Sequence, residues 1–222
     1  MKSYMPKASE DRYCEWIKLC TVRKTEKWES KIWVKSLTWK ISEDLLSKVI
    51  NADTYNSKKI IRVYASWHIF LNENKVYLVT TEKNWKIQHQ FTWGSPLEKE
   101  NKEVIFKENG EYKFDLEKVR ENARIRTKNR TWVEVIEEYN KIPLVDWVLM
   151  ENEEDGEIYY KLVCLMHFIA KKYKWELSYT NQEYVIWWKW YNIDKLSETK
   201  DMAPNAYIVT KKALELLEEL WK

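Results

Sequence analysis

DLEKVRENARIRTKNRTWVEVIEEYN, residues 115–140, contains the transition on which the fold turns, because a helix must stop somewhere inside it. Asp115 is a good N-cap, and Leu116, Val119 and Ala123 follow at helical spacing toward about Arg130. Val133 to Ile136 then reads as a strand by its β-branched composition, or as a further turn of the same helix. The two readings place the glutamates of this stretch on different kinds of surface.

Working outward, Ile158 to Ala170 is an apolar run with no breaker, expected as a buried strand with a continuation. Trp190 to Ile193 suits a short strand, and Lys211 to Leu220 is an amphipathic helix that aligns Leu214, Leu217 and Trp221. Upstream, Ile60 to Phe70 and Val76 to Thr80 read as strands around an Asn72-Glu73-Asn74 turn. Val104 to Phe106 and Glu111 to Phe114 form a second hairpin around Glu108-Asn109-Gly110. Between the hairpins, Ile87 to Glu100 is a short strand running into a loop, a common place for a site. Residues 1–58 are polar and mixed apart from a helix-like run from Ser42 to Ala52, and read as an N-terminal extension. Residues 59–222 read as the main domain, with an insertion near 101–114. Strands, helix, strands and a terminal helix make a mixed α/β sandwich.

Charge is dense but balanced, 38 basic against 35 acidic residues, which argues against a nucleic-acid coat. Cys14, Cys20 and Cys164 have neither disulfide-framework nor zinc spacing, so a reducing cytoplasm is expected. The first twenty residues build no apolar h-region and no stretch approaches 18 uninterrupted apolar residues, so a soluble, unexported chain is expected.

Fourteen tryptophans stand beside only three glycines, where a chain of this length would ordinarily hold roughly 16 glycines. Trp85, Trp93 and Trp175 sit in polar surroundings where glycine would supply a turn. One explanation is a gene that reads UGA as glycine, translated here as tryptophan. The other is a Trp-rich protein with an aromatic binding surface.

Residues 60 to about 220 resemble the Nudix superfamily in the order of these pieces, including the ending Trp190-Tyr191-Asn192-Ile193-Asp194-Lys195-Leu196. The resemblance implies an α/β/α sandwich with a mixed β-sheet that hydrolyses a nucleoside diphosphate derivative or related pyrophosphate. The family's box reads G-x5-E-x7-R-E-U-x-E-E-x-G-U, with U apolar. Its glutamates hold Mg²⁺ or Mn²⁺, which offsets phosphate charge and activates water. Gly94 and Glu100 match the first spacing, and a glycine in place of Trp93 would restore the Gly-Gly pair common there.

Two registers compete for the rest of the box. In the first, Val133 to Asn140 stands for R-E-U-x-E-E-x-G, and Glu134, Glu137 and Glu138 would converge on metal if they lay on a helix. Glu137 is then a catalytic candidate, and Glu183 resembles in placement a glutamate that some members use as ligand or base. In the second, Asn122 to Val133 is the box helix and Trp132 stands for its closing glycine. Arg126, Asn129 and Arg130 then occupy the glutamate positions, where they could contact phosphate but could not hold Mg²⁺.

Each feature also has a plainer reading: an acidic strand or loop for the glutamates, including Glu98, and a solvated face for the arginines. His68, His89 and His167 show no pair at metal spacing, and His167 is expected as a satisfied core residue. Trp187-Trp188 would be a stacking platform if both are tryptophans. The function classes are therefore a Mg-dependent hydrolase, a degenerate binding or regulatory module, and a single-stranded nucleic-acid binder, the last opposed by the small net charge. The partner expected is a nucleotide or another pyrophosphate-containing small molecule, with no membrane.

Overall fold

The computed structural model describes residues 19–24, 29–38, 41–83, 86–91, 102–175 and 185–221. Its centre is a pair of strands, β4 (Lys58–Ile69) and β12 (Glu157–Trp175), running parallel from Tyr160↔Ile60 to Ile169↔Ile69. Both strands are apolar on both faces. Period-2 alternation sends Val63, Ala65, Trp67 and Ile69, with Val163, Leu165 and Ile169, into one core. Tyr64, Cys164, Met166 and Phe168 enter another on the opposite face.

Each face is covered by one helix. α2 (Leu116–Thr131) lays Val119 and Ala123 on the second core. α3 (Pro204–Leu220) lays Ala206, Val209, Ala213 and Leu217 on the first. A mixed sheet between two helical layers is the α/β/α sandwich that the family resemblance implies.

The remaining strands extend this centre. β11 (Leu144–Glu154) pairs antiparallel with β12, and β2 (Glu29–Thr38) pairs with β11 and carries β1 (Leu19–Lys24). On the other side β4 carries the two-residue β3 (Thr54–Tyr55). β10 (Val133–Glu138) pairs with the last residues of β12. A second sheet orders β13 (Val185–Asn192), β6 (Lys75–Lys83) and β5 (Leu71–Asn72), with β7 (Lys86–Gln90) also on β6. β8 (Ile105–Glu108) and β9 (Glu111–Phe114) form a separate hairpin. Its turn has Asn109 at φ 51° and Gly110 at φ 84°, a pair of left-handed residues that Asn-Gly supplies at low cost.

Arg62 joins α1 (Glu43–Val49) to the sheet. Its guanidinium donates to the carbonyls of Val49 at 2.8 Å, Ile50 at 3.0 Å and Ala52, satisfying groups that the helix end leaves open.

The transition inside residues 115–140 falls at Trp132. α2 begins on Asp115, whose carboxylate accepts from Lys118 N at 3.2 Å. It closes with Trp132 in the left-handed region, φ 57° and ψ 24°, its N–H donating to the Lys128 carbonyl at 2.9 Å. The chain enters β10 at Val133. Glycine takes this closing conformation freely, whereas a Cβ there costs about 1 kcal/mol or more. Trp132→Gly is expected to unfold at higher urea than Trp132→Ala by about 1 kcal/mol, since both lose the indole and only the alanine keeps the Cβ strain.

Trp175 differs from the sequence expectation. It ends β12 opposite Val133, edge-on to Tyr77 at 5.3 Å, and occupies no turn. Trp67 is fully buried against Phe91 and His167, and Trp147 lies 6.1 Å from the Phe114 ring, so these indoles serve as core aromatics. Trp85 and Trp93 lie outside the described residues.

Candidate functional site

The surface that matters is the outer part of α2 and the strand that follows it. Because α2 stops at Thr131, Val133 to Glu138 is strand β10 and Glu134, Glu137 and Glu138 are not on a helix. The shared helical face required by the glutamate register is therefore not formed, and the reason is local: the left-handed backbone at Trp132 cannot propagate an α-helix.

The three glutamates are differently engaged. Glu137 is exposed and pairs with Lys171 at 2.6 Å. Glu134 is half-buried, its Cα opposite that of Lys174 across the ladder. Glu138 is buried, its side chain 7% exposed, and accepts two hydrogen bonds from Arg124, at 2.7 Å from Nε and 2.6 Å from Nη2.

The other Glu138 contact is His68, fully buried on β4, whose Nε2 stands 3.1 Å away. Its Nδ1 lies 2.9 Å from the Thr127 hydroxyl. With Nε2–H donating to the carboxylate, Nδ1 accepts from Thr127, so one neutral tautomer satisfies both ends. Burial drives the His68 pKa down, against the pull of Glu138. Burial by itself would raise the Glu138 carboxyl, yet hydrogen bonds from His68 and Arg124 and their electrostatic pull bring it down to about 2. Arg124–Glu138–His68–Thr127 thus ties α2 to β10 and β4.

The register set by Trp132 puts Arg126, Asn129 and Arg130 on the last turns of α2, at the box positions of the three metal glutamates. Counted back along the motif, the upstream glutamate falls on Glu117, which is exposed and pairs with Arg120 at 2.9 Å. The opening glycine falls one residue past Gly110. That count was available in the sequence but was obscured by the better local match of Gly94 with Glu100. Gly94, Glu98, Glu100 and Glu183 lie outside the described residues, as do the side chains of Trp187 and Trp188.

Arg126 and Arg130 are one turn apart and both half-buried. The Arg126 guanidinium lies 5.3 Å from the centre of the Tyr64 ring, and Asn122, one turn before it, donates to the Tyr64 hydroxyl at 2.6 Å. Burial, and then the charge of Arg126, hold the Arg130 pKa below the ordinary guanidinium value. Two like charges are therefore kept close and partly out of water at the helix C-terminus, whose partial negative charge favours cations.

The other histidines serve elsewhere. His167 is fully buried edge-on to Trp67, its Nε2 3.5 Å from Asp146, which also pairs with Lys212 of α3. His89 Nδ1 lies 2.9 Å from the Thr80 hydroxyl and 2.8 Å from that of Tyr191. Among the described residues no three His, Cys, Asp or Glu side chains gather as a metal site, and no helix is long and apolar enough to cross a membrane.

No family model and no curated protein matches this chain. Among solved structures it is similar to the E. coli ORF135 protein, with a TM-score of 0.42 and 13% identity over 72% of this chain and 96% of that one. It is similar also to a NUDIX hydrolase from Nitrosomonas europaea, with a TM-score of 0.43 and 10% identity over 70% and 90%. A pyrophosphohydrolase from Bacillus subtilis matches with a TM-score of 0.32 and 15% identity over 87% and 93%.

The Glu138 cluster has a defined pH signature. The folded carboxyl titrates below its ordinary 4.5, so its stabilisation is complete above that value and is lost as the pH falls toward about 2. His68 acts in the same direction, because on acidification below about 6.5 the unfolded chain takes up its proton first. Glu138→Gln is expected to cost about 2 kcal/mol at pH 7 in urea unfolding, and to flatten the decline in stability between pH 4.5 and 2.

Proposed function

We propose that this protein is a catalytically degenerate Nudix-fold module that binds a nucleoside diphosphate derivative or related pyrophosphate without metal-dependent hydrolysis. The observation that carries this reading is the left-handed closure of α2 at Trp132, which sets the box register. Metal chemistry in this family needs carboxylates to hold the cation. With this register the corresponding positions are Arg126, Asn129 and Arg130, which offer guanidinium forks and an amide to phosphate oxygens instead.

The Mg²⁺- or Mn²⁺-dependent hydrolase is the competing reading, with Glu134, Glu137 and Glu138 as ligands, Glu183 as base and Gly94 and Glu100 at the box entrance. It would have to detach Glu138 from Arg124 and Glu137 from Lys171. A hydrolysis screen over nucleoside triphosphates, ADP-ribose and dinucleoside polyphosphates with either metal is expected to show no turnover, while at least one of these ligands raises the melting temperature. Turnover that disappears in Glu137→Gln would establish the glutamate register in place of the binding module.

The conformation of Trp132 also favours the recoding of UGA as glycine at that position, whereas Trp67 and Trp147 are packed as tryptophans are. Mass spectrometry of the protein from its own cells is expected to give glycine at residue 132, and tryptophan there, encoded by UGG, would refute the idea.

A further inference from the structure

We infer that Arg126 and Arg130 form a metal-independent clamp for a pyrophosphate group, in which the two guanidiniums supply the positive charge that divalent cations supply in the Nudix box. The inference rests on the binding-module reading above and adds the place and the chemistry. Three features support it on separate grounds.

First, the two side chains lie one turn apart on α2 and share its outer face with Asn122. Second, they are half-buried, so their attraction for an anion is screened less than that of surface lysines. The mutual repulsion that burial imposes on the pair is relieved when a multiply charged anion enters between them. Third, Arg126 is held over the Tyr64 ring, whose hydroxyl is fixed by Asn122, so part of the ordering cost is met before the ligand arrives.

The helix dipole sharpens the assignment. A helix C-terminus repels anions, so a phosphate group there requires resident cations, and the last turn holds Lys128 and Arg130. Arg124 sits on the same helix but is committed to Glu138, which leaves the Arg126 and Arg130 pair as the natural anion contact of this face. Guanidinium forks fit the paired oxygens of adjacent phosphoryl groups, so the class of ligand is a pyrophosphate, free or as part of a nucleotide.

The test is calorimetric titration of the full chain with inorganic pyrophosphate and, separately, with ADP-ribose, each in EDTA and in excess Mg²⁺. Binding of pyrophosphate is expected in EDTA and is expected to weaken in Mg²⁺, which competes for the same oxygens; a metal-built site would show the reverse order. Arg126→Gln and Arg130→Gln should each weaken binding by about tenfold or more, and Lys128→Gln, which removes an exposed charge one turn-face away, by less than about twofold.

Arg126→Lys and Arg130→Lys keep the charge and lose the fork, and are expected to recover only part of the affinity. Circular dichroism checks that each variant is folded, and the ³¹P resonance of pyrophosphate with the unmodified chain provides a reading independent of the variants. ADP-ribose binding that is indifferent to both arginine substitutions would overturn the clamp and leave the module reading intact. No binding of either ligand would overturn both.

Discussion

The parallel ladder between β4 and β12 is the constraint on which the rest of the molecule depends. Ten consecutive pairs align the two strands, and both are apolar on both faces, so neither side of the ladder can face water. One helix must cover each side. Trp67 and Ile169 require α3, while Tyr64 and Phe168 require α2, and the strands that flank the ladder extend a core already closed above and below.

That arrangement brings α2 against β4 and fixes where its end can lie. The Arg124–Glu138–His68–Thr127 cluster joins the helix, the strand that follows it and the central strand through buried polar contacts. Breaking one partner of such a cluster strands the others in a low-dielectric interior, which is why its members act together. Glu138 is thereby a structural carboxylate, and its acidity follows from the donors that hold it.

The end of α2 also determines its electrostatics. In the box that this helix resembles, glutamates at the C-terminus are balanced by metal cations, an arrangement compatible with the helix dipole because the net added charge is positive. Arg126 and Arg130 meet the same electrostatic condition with covalently attached charge. A single change of backbone state at Trp132 thus separates two chemistries: one residue more of helix would have carried the acidic run onto a helical face, and one left-handed residue sends it into a sheet.

Much of the fold was legible in the sequence. The Asp115 cap, the Asn109-Gly110 turn, the breaker-free run from Ile158 to Ala170 and the closing amphipathic helix depend on local propensity and periodicity, which act within a few residues. β11 and β2 were not anticipated, because Val145 and Trp147 stand among acidic residues and their strand character comes from pairing with partners far along the chain. The candidate site was legible only as two registers. Either could satisfy the local rules for Val133 to Asn140, and the choice required β10 to pair with the last residues of β12, forty residues away in the chain. By itself the sequence determined that these residues make an α/β sandwich with a basic helix ahead of an acidic stretch. Tertiary structure decided that the acidic stretch is a strand and that the basic helix occupies the metal-binding position, because ladder hydrogen bonds to a distant strand outweigh what neighbouring residues prefer.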